Sequence, residues 1–258
     1  MKINATTALC TPKILLVPYS THHVPQYHTW MQDPQLQKLT ASEPLSIEEE
    51  YAMQKSWRED GDKLTFIACL PTSLGKDGGG GKDGGGGRET KVVKGGLDDS
   101  NDRMIGDVNL FFTKDDEGDE GEDDNLPHTN GIRAKQVIGE IEIMIATSSA
   151  RGKGYGKAIL LTFLWYIVEK TSLILSEYTK TLHSSLIYLR VKIDAENQTS
   201  INLFEKVGFT KKSQTPNFFN EVELRLSLSE AALKFEGMQE PSIALYRLPA
   251  ATANKEPQ

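Results

Sequence analysis

The feature that most restricts this chain is a strand, a glycine cluster and a helix in immediate succession. Val137–Ala146 (VIGEIEIMIA) puts Ile141, Ile143 and Ile145 on one face and Glu140, Glu142 and Met144 on the other, the period of a half-buried strand. Arg151-Gly-Lys-Gly-Tyr-Gly156 follows, and Tyr155–Lys170 (YGKAILLTFLWYIVEK) then carries apolar residues at helical spacing. The first N–H groups of a helix have no intrahelical partner and form an anion site. Glycine lets those groups approach a pyrophosphate closely, and Arg151, Lys153 and Lys157 add positive charge. Spacing excludes two other phosphate loops. A GxGxxG read from Gly152 needs glycine at 157, where Lys157 stands, and no GxxxxGK followed by Ser or Thr is present. A glycine-rich turn that merely caps a core helix stays open on this motif alone.

The rest of the chain alternates strands and helices. Lys13–Val17 reads as a strand and His22–Met31 as a helix with Pro25 in its first turn. Ser46 and Glu49 form a capping box, with Tyr51, Met53 and Trp57 following at helical spacing. Strands are expected at Leu64–Leu70, at Met104–Thr113 with a bulge near Gly106, and at Leu186–Asp194. A short helix over Thr199–Val207 stops at Gly208, and Glu221–Leu228 alternates as a final strand. Residues after Ser229 read as weakly helical, then polar. Gly75–Gly87 contains KDGGGG twice, and Asp115–Asn130 is acidic; neither can offset the entropy of ordering. We therefore expect one domain over residues 12–230, with flexible insertions at about 72–102 and 115–131 and a C-terminal tail at 231–258. The element order gives a mixed sheet with helices packed on it and right-handed crossovers.

Composition narrows the function classes. The formal charge of −7 comes from Asp115–Asp124, whose eight acids, once set aside, leave +1. No basic footprint for nucleic acid remains. Cys10 and Cys69 form neither a disulfide framework nor a metal-ligand pattern and read as small buried side chains. Met1–Thr11 lacks an apolar signal core, and no apolar run approaches the ~20 residues that span a bilayer; Ala158–Val168, the longest, is broken by Thr162. The expectation is a cytoplasmic protein, also compatible with the nucleus, with no membrane, nucleic-acid or metal partner.

A second signature lies about forty residues after the glycine loop: Asn197-Gln-Thr-Ser-Ile-Asn-Leu-Phe-Glu-Lys-Val-Gly-Phe209, again after a strand. The pair resembles the Gcn5-related N-acetyltransferase (GNAT) superfamily. Val17–Tyr19, His23–Met31, Leu39–Leu45, Glu50–Gln54, Phe66–Ile67, Gly106–Leu110 and Gly139–Ala146 further resemble N-acetyltransferase 9-like proteins. The glycine repeat and the acidic loop depart from that pattern and fall between strands. The resemblance implies an α/β (α+β) GNAT-like fold, a mixed and mostly antiparallel central sheet with helices on both faces. It implies acetyl-CoA as donor, with the pyrophosphate on Arg151, Gly152, Lys153, Gly154, Tyr155, Gly156 and Lys157. It also implies a splayed strand end at Met144, Ile145 and Ala146 whose backbone pairs with the pantetheine arm, and Asn197 beside that arm. It implies a protein or peptide acceptor, with tubulin the acceptor associated with animal relatives.

Acetyl transfer needs a neutral amine and a polarised thioester carbonyl. Glu140 and Glu142 are the candidate bases; as a solvated or salt-bridged pair they would have no such role. Asp107, on the neighbouring strand, is a third candidate. Many superfamily members carry a tyrosine seven residues after the asparagine as acid for the leaving thiolate, whereas this chain has Phe204. A thiol pKa near ~8.5 makes direct departure, or protonation by water, sufficient. An α-amine, with a pKa of ~7.7–8.0, asks less of a base than lysine at ~10.4. The expected activity is therefore N-acetylation of a protein α-amine. Acetylation of a small polyamine-type amine and acetyl-CoA binding without turnover are the alternatives.

Overall fold

A computed structural model describes residues 1–40, 42–72, 91–114, 128–129, 132–133, 135–181, 184–227 and 238–248. The elements run β1 (Thr7–Cys10), β2 (Leu15–Pro18), α1 (Val24–Met31), α2 (Pro34–Thr40), α3 (Ile47–Glu59), β3 (Lys63–Cys69), β4 (Val92–Lys94), β5 (Met104–Lys114), β6 (His128–Thr129), β7 (Ile132–Arg133), β8 (Lys135–Ile145), α4 (Tyr155–Thr179), β9 (Ser184–Asp194), α5 (Gln198–Val207), β10 (Thr210–Lys211), β11 (Glu221–Ser227) and β12 (Ser242–Arg247). Ten strands form one sheet in the order β10-β11-β9-β8-β5-β3-β2-β1-β12-β4, and β6 and β7 pair separately. Only β8/β9 and β12/β4 run parallel within the large sheet. This is the mixed, mostly antiparallel sheet expected from the sequence.

Helices cover both faces. Ile159, Phe163, Leu164 and Ile167 of α4 and Ile201 and Phe204 of α5 pack with Phe66, Val108, Leu110, Ile141 and Leu189 of the sheet. Val24, Tyr27, Trp30 and Met31 of α1 pack with Val17, Ile67, Cys69 and Met144. Alternation along β8 decides the split, because Ile141 faces α4 while Met144 faces α1. Local signals hold the helix ends. The Ser46 hydroxyl accepts the Glu49 N–H at 3.3 Å while the Glu49 carboxylate accepts the Ser46 N–H at 2.8 Å. Gly208 closes α5 at φ +111°, where a side chain would be strained.

Several elements differ from the sequence reading. Residues 242–247, assigned there to a tail, form β12 between β1 and β4. β1 starts before the expected domain boundary, and β4 lies inside a stretch expected to be a flexible insertion. Each is short and pairs with chain distant in sequence, β1 with β12 as well as with its neighbour β2, so its local pattern is faint. The short helix α2 buries only Leu36 and shows no apolar stripe. Gly75–Gly87 and residues 115–127 lie outside the described residues, whereas β6 falls inside the acidic stretch Asp115–Asn130 expected to stay unordered. α4 runs nine residues past the expected end at Lys170. By length and composition it could cross a bilayer, yet Ile159, Leu160, Phe163, Leu164 and Ile174 are buried in the core.

Candidate functional site: the splayed strands and the glycine loop

The sheet opens at one place. β8 and β9 pair from Lys135/Ser184 to Glu140/Arg190, with one register shift between Val137 and Ile138, and there the pairing ends. Both strands continue, β8 to Ile145 and β9 to Asp194. β8 keeps its other neighbour, since Asn109 lies opposite Glu142, Asp107 opposite Met144 and Gly106 opposite Ile145. The backbone of Ile141–Ile145 thus has β5 along one edge and lacks the β9 ladder along the other. This is the splay that the resemblance implies.

Gly106 permits the close approach of β5 to this strand end. A β-carbon there would stand 1.8 Å from the Met144 carbonyl oxygen and 3.1 Å from the Ile145 Cα. Both obstacles are backbone, so the strands themselves would have to move. Gly106→Ala is expected to cost about 1–3 kcal/mol of stability, the usual range for overpacking. Acetyl-transfer activity should fall further than stability, which a melting curve and an initial-rate assay on one preparation would resolve.

The glycine loop starts directly beyond the splay. Gly152 and Gly154 have φ of +71° and +76°, conformations that L side chains rarely adopt. No atom lies within 4 Å of where a Gly152 β-carbon would stand. Gly156 also matters for packing: an added β-carbon would meet Leu203 Cδ2 at 3.3 Å, so its small size lets α5 pack on α4. Arg151 also supports the strand end. Its Nε donates to the Ile145 carbonyl at 2.9 Å and its Nη2 to the Ala146 carbonyl at 3.2 Å, bracing the strand end from behind. Lys153 and Lys157 flank the loop, and Lys13 reaches it from the β1–β2 turn, 5.7 Å from the Tyr155 ring centroid. No local pattern points to Lys13, which lies some 140 residues away in sequence.

Asn197 caps α5 through its Oδ1, which accepts the Ser200 N–H at 3.1 Å. Its Nδ2 group makes no hydrogen bond among the described residues. Phe204 is buried edge-on against Phe209, centroids 5.0 Å apart, and has no proton to give.

The acids separate into distinct roles. Glu140, an equal candidate base on sequence grounds, is ion-paired: Arg190 Nε lies 2.7 Å and Lys192 Nζ 3.8 Å from its Oε2. It clips β8 to β9 at their last paired position. Glu142 lies two residues on, where the strands part. Glu142 is exposed to solvent at the surface, although protein crowds around it. That surrounding protein, with the charges of Asp107 and Glu140, raises its carboxyl to about 7.

On the same sheet face as Glu142 lies a cluster of buried polar groups from β3, β5, α1, α3 and the segment after β2. Asp107 Oδ2 accepts the Asn109 Nδ2–H at 2.8 Å and the Tyr27 hydroxyl at 3.4 Å. Asp107 Oδ1, Asn109 Oδ1, Thr65 Oγ1, Tyr19 OH and Glu50 Oε2 are buried without a hydrogen-bond partner among the described residues. Burial pushes Asp107 up to about 6 and Glu50 to about 7. The sequence alone does not single out Glu50, since it is one of three consecutive glutamates and nothing local says which faces inward.

Asp107 makes a stability prediction of definite sign. Its folded-state pKa is raised, so the folded chain holds the proton more tightly than the unfolded chain between pH ~4 and ~6. Stability is therefore lost as pH rises through that window. A shift of this size corresponds to roughly 2–3 kcal/mol. Asp107→Asn stays neutral and still accepts from Asn109 and Tyr27. It should melt higher than the wild type at pH 7 and about equally at pH 4. A variant that melts lower at pH 7 would show that the buried charge is compensated.

A separate group brings His22, His23 and Asp99 within 4.8 Å of one another, as metal ligands would lie. The hydrogen bonds give it another use. His23 Nδ1 accepts the Ser20 N–H at 3.0 Å, so the ring proton sits on Nε2, 3.0 Å from Asp99 Oδ2. The Tyr246 hydroxyl donates to the same oxygen at 2.6 Å, and the Gly96 N–H to Oδ1 at 2.5 Å. A ligating histidine needs the reverse wiring, with its second nitrogen donating outward. The group ties the start of α1 and the turn after β4 to β12.

Comparison with known proteins agrees with this geometry. The acetyltransferase (GNAT) domain model matches residues 13–210. The human alpha/beta-tubulin-N-acetyltransferase 9 is 38% identical over 232 residues, covering 90% of this chain and 88% of that protein. The N-acetyltransferase 9-like protein of Schizosaccharomyces pombe is 37% identical over 232 residues, covering 88% of this chain and 98% of the other. Among solved structures, the GNAT-family acetyltransferase from Bacillus anthracis shares the fold at 11% identity and a TM-score of 0.51, covering 86% of this chain and 99% of that one. A family match over most of the chain, relatives of this identity and a sheet that opens beside a glycine loop lead to one conclusion: the chain belongs to the GNAT family, as an acetyl-CoA-dependent acyltransferase of the N-acetyltransferase 9-like group.

Proposed function

We propose that this enzyme acetylates the α-amino group at the N-terminus of a protein, with Glu142 receiving the amine proton. In this reading the pyrophosphate of acetyl-CoA lies on the backbone N–H groups of residues 152–157, and Lys153 and Lys157 add charge. The pantetheine arm enters the gap where β8 and β9 part, passing Asn197, and the backbone of Met144–Ala146 pairs with it. The acceptor approaches from the face that carries Glu142.

The position of Glu142, exposed just past the last β8/β9 pair and with its carboxyl pushed up to about 7, supports this reading most. An α-ammonium lies about one pKa unit above that value, so moving its proton to Glu142 costs about 1–1.5 kcal/mol. A lysine ammonium lies more than three units above, roughly 4–5 kcal/mol uphill. The same carboxylate is thus well matched to one amine and poorly to the other. The exposed pair Phe218 and Phe219 stands just before β11, whose first residue Glu221 pairs with Asp194 at the splayed end of β9. That apolar tip gives a peptide something to rest on. Relatives named for α- and β-tubulin acetylation make tubulin the first acceptor to try. Both cysteines are free and buried, which suits a reducing compartment, and we place the reaction in the cytoplasm or nucleus.

The buried carboxyls of Asp107 and Glu50 on the same face would also attract a polyamine, which keeps a small-amine reading in view. One experiment separates the two: acetyl-CoA and enzyme are incubated with peptides of varied N-terminal sequence together with spermidine. Tandem mass spectrometry then locates the acetyl group. Acetyl on peptide α-amines is the expected result, and acetyl found only on spermidine or only on lysine would overturn the proposal.

A further inference from the structure

Lys13 belongs to no strand or helix, yet its position is fixed. The Thr11 hydroxyl accepts the N–H groups of Lys13 at 3.2 Å and Ile14 at 2.9 Å, and the Ile14 side chain is fully buried. From this rigid turn an exposed side chain crosses to the glycine loop. Its Nζ lies 2.9 Å from where a β-carbon on Gly154 would stand and 5.7 Å from the centre of the Tyr155 ring. Lys13 pairs with no carboxylate among the described residues.

An ammonium is thus held over the amides that begin α4, with only an aromatic ring for company. A cation beside a half-buried ring open to solvent on one side is a weak attraction, whereas an ammonium bonded to a phosphate oxygen is a charge-assisted hydrogen bond, the stronger kind. A phosphate set on these amides would therefore draw Lys13 away from Tyr155. Positive charge would then meet the phosphate from two sides, from Lys153 and Lys157 on the loop itself and from Lys13 on the β1–β2 turn.

We propose that Lys13 is a phosphate ligand of the coenzyme, closing over the glycine loop when the coenzyme binds. The proposal rests on the pyrophosphate lying at residues 152–157, as in the proposed function. It adds a residue from a remote part of the chain, and no glycine-loop motif would find it.

Calorimetry with coenzyme A tests this without any acceptor. Lys13→Ala is expected to weaken binding about tenfold, about 1.4 kcal/mol. The melting temperature should stay unchanged, because the side chain is exposed. Lys13→Arg should restore most of the affinity. Added salt should weaken the wild type more than Lys13→Ala, since one ion pair is already missing in the variant. Dephospho-coenzyme A identifies the phosphate: a penalty that vanishes there assigns Lys13 to the 3′-phosphate, and one that persists assigns it to the pyrophosphate. Unchanged affinity in Lys13→Ala, alongside lost binding in Gly154→Glu, overturns the role of Lys13 alone. Unchanged affinity in both variants overturns the placement of the pyrophosphate itself.

Discussion

Gly154→Glu is expected to weaken acetyl-CoA binding at least a hundredfold while the fold survives. Two effects contribute, and they differ in size. The backbone at Gly154 has φ +76°, and a side chain there costs about 1–2 kcal/mol. In a protein of this length each kcal/mol lowers the melting temperature by about 2–4 °C. The new β-carbon would meet only Nζ and Cε of Lys13, the movable end of a long side chain, so packing adds little. Binding suffers more, because a carboxylate would stand among amides that otherwise face a phosphate. A hundredfold loss is about 2.7 kcal/mol, modest for two like charges brought together on a shared site. Gly154→Ala separates the causes: it carries the backbone strain without the charge and should lose far less affinity. Unchanged affinity in Gly154→Glu by calorimetry would contradict the loop assignment.

Glu142→Gln should lower kcat/KM by roughly 10²–10³, within the range for a lost general base. It should also change the pH profile. With Glu142 near 7, wild-type kcat/KM rises through neutral pH as the carboxylate forms. The glutamine variant should lose that limb and follow only the ionisation of the acceptor amine. Glu140→Gln is the control. It removes the partner of Arg190 and loosens the last paired position of β8 and β9, but it takes away no base. Its rate should fall less than tenfold with the profile intact. If Glu142→Gln kept the wild-type rate and profile, the acceptor would lose its proton to water.

Elements with strong local signatures are legible in the amino-acid sequence alone. Alternation along β8, the capping box at Ser46 and the αL glycine at 208 each depend on neighbours in sequence, and each falls where expected. β12 and β4 are not legible, because a six-residue and a three-residue strand owe their pairing to β1 and to each other. The site divides the same way. Gly152 and Gly154 announce themselves by spacing. The difference between Glu140 and Glu142 does not, since both project from one face of one strand. Only the position of Arg190 across the sheet ties down the first and leaves the second at the gap. Lys13 and Glu50 are hidden for a related reason, as tertiary contacts alone bring them to the site. Arg151 reads as a phosphate ligand from its charge, and no local pattern foretells that its Nε and Nη2 also reach the carbonyls of Ile145 and Ala146.

The most direct test of acetyl transfer to an α-amine compares two versions of one peptide, such as a tubulin N-terminal sequence with an added internal lysine. One has a free N-terminus and the other a blocked one. Initial rates with saturating acetyl-CoA would be followed by mass spectrometry. Turnover of the free peptide, with acetyl on its first residue and none on the blocked version, is the expected result. Equal turnover of both, with acetyl on the lysine, would contradict it.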